Sequence, residues 1–153
     1  MSHEARLREL GINLPVVPPP GGTFVHAVRT GNLIFLTGHV PFRPDGTIVQ
    51  GKLGKDLDVD AGREAARLSA LGMISTLRKE LGSLDRVRRI VKVNGVVSAT
   101  PEFMLHTQVI NAASELLEQV FGEAGKHARL AVGYASLPFN MALEVELIAE
   151  VAD

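Results

Sequence analysis

Two charged residues near the end of the chain have the types and spacing expected of a site for a small molecule. Arg129 begins a predicted strand, and Glu144 follows fifteen residues later in a second predicted strand. A guanidinium recognises a planar carboxylate through two parallel hydrogen bonds, and a nearby carboxylate can orient or deprotonate a water molecule. If the two strands pair as a hairpin around Leu137 and Pro138, both side chains face the same region. An internal Arg–Glu ion pair explains the same spacing equally well.

The residues around these two charges alternate as they do in strands. From residue 143 to residue 151, apolar side chains alternate with mostly charged ones, which is the period of a strand with one buried face. In the preceding strand, Arg129 shares its face with the small residues Ala131, Gly133 and Ala135. Small neighbours leave room for a ligand beside the guanidinium. Taken alone, however, this stretch favours a strand-end arginine in solvent or in a structural ion pair.

The sequence argues against several other kinds of site. The five histidines lack metal-ligand spacing and cysteine is absent, so we expect no metal centre, no disulfide and no thiol nucleophile. Neither a Gly-x-Ser-x-Gly motif nor a dinucleotide fingerprint is present, and residues 51–55 lack the ending of a phosphate loop. A net charge of −1, one tyrosine and no tryptophan argue against nucleic-acid binding, despite a basic cluster at residues 86–92.

Length and composition predict one domain that spans residues 1–153. Hydrophobic residues make up 46% of the chain, which is typical of a globular protein. No apolar run reaches the roughly 18 residues of a membrane span, and the first ten residues lack the apolar core of a secretory signal. We therefore expect a cytoplasmic protein with no membrane partner. Residues 1–22 are predicted to form an N-terminal extension, a short helix followed by a proline-rich connector.

After this extension, hydrophobic periodicity predicts the order strand-strand-helix-strand-helix-strand-strand. The first helix is expected at residues 60–81, and the first three strands at residues 23–28, 33–40 and 89–97. Gly95 inside the third strand predicts a bulge. Thr100 and Pro101 predict a helix start, and the segment from there to Phe121 fits either one broken helix or a turn plus a helix.

This order predicts a two-layer α+β domain with a mixed sheet and two helices on one face. The second strand is apolar on both faces, so we expect it to be central and covered on both sides. Two helices cannot cover both faces of the sheet. Apolar residues on the second face therefore predict that sheet faces meet between subunits, which indicates a homo-oligomer.

Two motifs of the chain resemble motifs that occur in the same order in the Rid superfamily (reactive intermediate deaminases, also called YjgF-type or L-PSP proteins). Residues 31–41 resemble its "G-N-hydrophobic…(S/T)-G-x-x-P" segment, and residues 129–146 resemble its closing "R…LP…VEIE" segment. The resemblance extends over residues 15–151. It implies a chorismate-mutase-like fold and a homotrimer whose sites lie in the clefts between subunits.

For the deaminase members, the resemblance implies that an enamine or imine derived from an amino acid is hydrolysed to a 2-keto acid and ammonia, without a cofactor. Arg129 matches the family arginine that holds the substrate carboxylate. Glu144 matches the glutamate that positions the attacking water. Thr37 and Gly38 match residues that border the pocket, and Asn111 matches a pocket-lining asparagine.

The chain also departs from the family pattern. Phe24 stands in the place of a pocket tyrosine, so the hydroxyl is missing. Ala131 replaces a common pocket cysteine, although its backbone carbonyl remains available as an acceptor. The loop at residues 50–58 is longer and glycine-rich, and residues 125–129 lack the usual proline. These departures bear on the identity of the substrate more than on carboxylate binding.

Three functions follow as hypotheses. The first is an enamine or imine deaminase that acts on small 2-imino acids. The second is a trimeric module that binds a small carboxylate metabolite without turnover, which Phe24 and Ala131 favour. The third is the family's endoribonuclease or translation-inhibitor activity, against which the near-neutral charge and the scarcity of aromatic residues argue.

Overall fold

The chain forms a five-stranded sheet with helices packed on one face. A computed structural model describes all of residues 1–153. Its helices and strands, in chain order, are α1 (His3–Glu9), β1 (Ala27–Thr30), β2 (Leu33–Leu36), α2 (Val59–Leu81), β3 (Val87–Ser98), α3 (His106–Phe121), β4 (Ala128–Tyr134) and β5 (Leu143–Val151). Short 3₁₀ turns lie at Leu84–Arg86, Gly122–Gly125 and Pro138–Asn140. The predicted α+β order is confirmed, with α1 preceding it.

The sheet is mixed, with the strand order β1-β2-β5-β3-β4. All neighbours are antiparallel except β3 and β4, which are parallel. A hairpin of β4 and β5 was one expectation from the sequence, and it is wrong, because β3 lies between them. A parallel neighbour needs a long crossover, which α3 supplies between β3 and β4, and β5 then pairs with the other edge of β3.

Local signals set the bounds of the two long helices. Asp58 caps α2, because its side chain accepts a hydrogen bond from the Ala61 N–H at 2.8 Å. The helix α3 begins at His106, so the turn-plus-helix alternative is correct and a helix start at Thr100 is not. Thr100 instead donates its N–H to the Leu53 carbonyl, and its own carbonyl accepts the Phe103 N–H, which closes a turn before the helix. None of the helices combines the length and the apolar character needed to cross a bilayer.

Gly95 does not mark a bulge. It pairs in regular register with Val145 and Ala131, and the register shifts of β3 lie earlier, between residues 87 and 92. A β-carbon at Gly95 would lie 2.6 Å from a side-chain carbon of Ile110 on α3. The glycine therefore allows α3 to approach the sheet closely.

The two faces of the sheet differ in burial. On β5 the side chains facing the helices are all buried (Leu143, Val145, Leu147, Ala149 and Val151). On the opposite face, hereafter the open face, Phe35, Leu130 and Tyr134 remain 40%, 51% and 52% exposed. The prediction that β2 is covered on both sides is therefore wrong for a single subunit, in which only one of its faces is buried.

Candidate functional site

Glu144 lies in a cavity of about 750 Å³ between the sheet and the N-terminal extension. Phe24, Thr37 and Gly38 line the same cavity, as does Glu146 two residues further along β5. The structure therefore brings together Glu144 and three of the residues predicted to border a pocket. Glu146 is a second carboxylate of this cavity that the sequence did not single out.

Thr37 and Gly38 lie where the ladder between β2 and β5 is interrupted. Phe35 pairs with Ile148, and the next pairing joins His39 to Val145. Between these two pairings the chain advances four residues from Phe35 to His39 but only three from Val145 to Ile148. One extra residue on the first strand is the arrangement of a β-bulge. The extra residue therefore lies in the segment that contains Thr37 and Gly38.

Gly38 makes room for the Glu144 carboxylate. A β-carbon at Gly38 would lie 2.8 Å from Oε2 of Glu144 and 2.9 Å from its carboxyl carbon. No real side chain fits at such a distance, so any residue other than glycine would displace the carboxylate. Gly38 is thus a positioning residue for Glu144.

Glu144 is half-buried and takes part in none of the ion pairs of the chain. Burial raises the pKa of its carboxyl group, and repulsion from Glu146 raises it further. Glu146 is itself held by Asn94, whose Nδ2 donates to Oε1 at 3.1 Å. A carboxyl with a raised pKa and no internal partner is suited to exchange a proton with a bound water.

The buried side chain of His39 links the segment of Thr37 and Gly38 to the helix α2. Its Nδ1 lies 2.7 Å from the Thr37 carbonyl and its Nε2 lies 2.8 Å from Oγ1 of Thr76 on α2. Burial, together with the nearby His26, lowers the pKa of His39 to about 4, so the ring is neutral at pH 7. Its Nδ1–H then donates to the carbonyl, and Nε2 accepts from the Thr76 hydroxyl. This buried link fixes the backbone next to Gly38.

Arg129 is held by the helix α3. Its Nη1 donates to Oδ1 of Asn111 at 2.8 Å and to Oγ of Ser114 at 3.1 Å. No carboxylate of the chain pairs with it. Partial burial lowers the pKa of the guanidinium, which still carries its charge at neutral pH. The Nη2 and Nε groups have no partner in the chain, and they form the fork that would take a carboxylate.

A further pair of side chains orients this arginine. Ser114 lies 2.9 Å from Nε2 of His127, and Nδ1 of His127 lies 2.6 Å from the Gly125 carbonyl. The Nδ1–H must donate to that carbonyl, so Nε2 accepts the Ser114 hydroxyl proton and leaves the Ser114 oxygen to accept from Arg129. Burial is the main cause that lowers the pKa of His127, which favours this neutral form.

Arg129 and Glu144 lie on opposite faces of the sheet. Arg129 pairs with Val93, which faces the helices, whereas Glu144 pairs with Val96 on the open face. Ala131 follows Arg129 on the helix-facing side and packs against the core. Within one subunit the two predicted catalytic residues therefore do not meet. The prediction that they face one region is wrong for the isolated chain, because it required the hairpin that β3 prevents.

The molecule thus carries two half-sites. One contains Glu144 with Phe24, Thr37 and Gly38, and the other, hereafter the arginine half-site, contains Arg129, Asn111, Ser114, His127 and Ala131. Sequence reasoning missed the roles of Ser114, His127 and His39. Ser114 had a visible signal, since it lies three residues after Asn111 and so on the same face of a helix. The histidines had none, because their partners are distant backbone and side-chain groups. No cluster of His, Asp and Glu side chains is arranged to hold a metal ion.

Known proteins resemble the chain over nearly its whole length. It is 43% identical over 148 residues to Protein TCP17 of Trypanosoma cruzi, covering 96% of this chain and 92% of that protein. The crystal structure of the protein Atu1372 from Agrobacterium tumefaciens is 41% identical with a TM-score of 0.88, covering 98% of this chain and 94% of that one. A "putative endoribonuclease" from Shewanella oneidensis is 32% identical with a TM-score of 0.94, covering 99% and 100%.

A family model agrees with these similarities. The model described as YjgF/chorismate-mutase-like, "putative endoribonuclease", matches residues 4–151. This match includes the residues of both half-sites. The chain therefore belongs to the YjgF family.

Proposed function

We propose that the protein is a deaminase that hydrolyses 2-imino acids, or the enamines that tautomerise to them, to 2-keto acids and ammonia. In this proposal Arg129 binds the substrate carboxylate and Glu144 positions the attacking water. The observation that carries it is the state of these two residues. Each is partly buried and left without a partner of opposite charge in its own chain, and Arg129 is also held by Asn111 and Ser114.

The reaction follows from the chemistry of the two groups. Glu144 accepts a proton from a water molecule as the water oxygen adds to the carbon of the C=N bond. Because the imine nitrogen is protonated, the resulting tetrahedral adduct carries a hydroxyl and a neutral amino group on the same carbon. Glu144 then transfers its proton to the nitrogen and takes the hydroxyl proton in return as the C–N bond breaks and the C=O group forms. Ammonia leaves with this last proton as ammonium, which restores the ionised Glu144. Water is the only co-reactant, and no cofactor takes part.

A homotrimer is part of the proposal. Arg129 lies on β4, an edge strand of the sheet, whereas Glu144 faces the open side. Packing the open face of one subunit against the β4 edge of the next would bring an arginine half-site up to a Glu144 cavity. Apolar residues on the open face support such packing, because exposed apolar patches mark interaction surfaces.

In the test, an amino acid oxidase generates the imine in situ. The rate of keto-acid formation then measures the hydrolysis of this imine. Arg129→Ala should raise KM strongly, because it removes the group that binds the substrate carboxylate. Glu144→Gln should lower kcat, because it removes the base that activates the water. Glu150→Gln is the matched control, since Glu150 is on the same strand and face but outside the cavity. Parental rates for both Arg129→Ala and Glu144→Gln would refute the proposal.

A binding module without turnover is the second candidate, and Phe24 favours it. Phe24 lines the cavity and is about half exposed, but it brings no hydroxyl to the site. In that case a 2-keto acid would raise the melting temperature while no imine is consumed.

Ribonuclease activity fits the site less well, although the family model and several similar structures carry the name "putative endoribonuclease". The cavity contains Glu144 and Glu146 and no lysine or arginine. Two carboxylates repel a phosphate backbone. Ribonuclease activity that co-purifies with the protein and disappears in Arg129→Ala would favour this function over the deaminase.

A further inference from the structure

We propose that the substrate is a 2-imino acid with a bulky, uncharged apolar side chain, which lies in the cavity beside Glu144. This inference rests on the proposed deaminase function. It concerns the remainder of the cavity lining, to which the N-terminal extension contributes residues 15–21.

The N-terminal extension supplies a fixed wall. Residues 15–20 line the cavity and include four prolines, whose φ angles are restricted. The Pro15 carbonyl accepts a hydrogen bond from the Ser75 hydroxyl at 2.6 Å, and the Pro18 carbonyl lies 2.8 Å from Nε2 of His26. These anchors lie on α2 and before β1. The wall is therefore part of the folded domain and preorganises the cavity.

The cavity is larger than a small imino acid requires. Its volume of about 750 Å³ lies within the range of roughly 300–1,000 Å³ found for sites that hold drug-sized ligands. A substrate with a methyl side chain would leave most of this space to water. The size therefore favours a side chain of several carbon atoms or an aromatic ring.

The chemistry of the lining fits an apolar group. Phe24, Phe139, Ile48, Leu68 and Met141 are among the apolar residues that line the cavity. The titratable groups that line it are Glu144, Glu146, His26 and His39. The carboxylates would attract the protonated nitrogen of an imine, while the proline and phenylalanine wall offers nothing to pair with a charged side chain.

The experiment compares ligands of increasing size. The Kd values of pyruvate, 4-methyl-2-oxopentanoate and phenylpyruvate are measured by calorimetry, and kcat/KM is measured for the imines of alanine, leucine and phenylalanine. Each buried methylene strengthens binding roughly fourfold. From the smallest to the largest member, we therefore expect Kd to fall and kcat/KM to rise by at least about tenfold.

A substitution in the wall tests where the side chain lies. Gly21 lines the cavity, and a β-carbon there would meet nothing closer than Phe139 at 3.9 Å, so a side chain can begin at this position and we expect the ring of Gly21→Trp to narrow the cavity. It should remove most of the preference for phenylpyruvate over pyruvate. Glu80→Trp, on the exposed end of α2, is the control and should keep the preference.

The outcomes separate this inference from the proposed function. Imine hydrolysis without a size preference would overturn the inference alone, and would indicate that a neighbouring subunit fills the cavity. A size-dependent series of Kd values without hydrolysis would support the ligand class and overturn the deaminase. Gly21→Trp that keeps the full preference for phenylpyruvate would also overturn the inference. Absence of binding by every keto acid would overturn both.

Discussion

Glu144 combines the features of a general base with an unusual environment. Burial and the adjacent Glu146 both raise the pKa of its carboxyl group. As a base it acts in the ionised form, so activity should fall as the pH drops through a pKa above the ordinary glutamate value of about 4.3. The environment therefore sets the acidic limit of the reaction.

Glu146→Gln should move this acidic limit to lower pH. The substitution removes the repulsion that disfavours ionised Glu144, so its pKa falls and the ionised form persists at lower pH. The measurement is kcat/KM against pH for the parental protein and the variant, with Glu150→Gln as the control. An acidic limb that stays in place or moves to higher pH would contradict this role of Glu146.

Gly38 should be required for activity and dispensable for folding. The atoms that a new β-carbon would meet belong to the end of the flexible Glu144 side chain. In Gly38→Ala that side chain swings away, which costs little stability but misplaces the base. A misplacement of about 1 Å costs roughly a hundredfold in rate, so kcat should fall by about that factor while the melting temperature changes little. A Gly38→Ala variant with parental kcat would show that Glu144 does not need this position.

The packing of α3 on the sheet links the core to the arginine half-site. Gly95→Ala places a methyl group within 3 Å of three Ile110 carbons. Overpacking of this kind destabilises by about 1–3 kcal/mol, which urea denaturation would measure. Adding Ile110→Val should recover part of the loss, because it removes a methyl group at the contact. Equal unfolding free energies for Gly95→Ala and the parental protein would show that α3 can move away freely.

Signals carried by neighbouring residues made the order of the elements predictable, although the first two strands, expected at residues 23–28 and 33–40, are found at Ala27–Thr30 and Leu33–Leu36. The helix α2 was expected at residues 60–81 and is found at Val59–Leu81, because its cap, its apolar stripe and the glycine after it are all local. The place of β5 between β2 and β3 could not be predicted, since alternation shows which side chains share a face but not which strands are neighbours. The same limit hid the separation of Arg129 from Glu144.

At the scale of the whole molecule, β4 is the element that indicates assembly. Its larger apolar side chains, Leu130, Val132 and Tyr134, point away from the helices, while Arg129, Ala131 and Gly133 point toward them. An element of an isolated domain would bury the larger residues against the core. This inverted pattern fits a strand whose outer face is covered by another subunit.

The central claim is that Arg129 of one subunit and Glu144 of another form one site, and complementation tests it most directly. Arg129→Ala and Glu144→Ala are each expected to be inactive alone and are coexpressed with different affinity tags. A mixed trimer of either 2:1 composition has three interfaces, and one of them combines a native Arg129 with a native Glu144, so about one third of the sites in purified mixed trimers would be active. The account predicts that imine hydrolysis returns to about that fraction of the parental rate. Mixed trimers that are as inactive as the separate variants would contradict it.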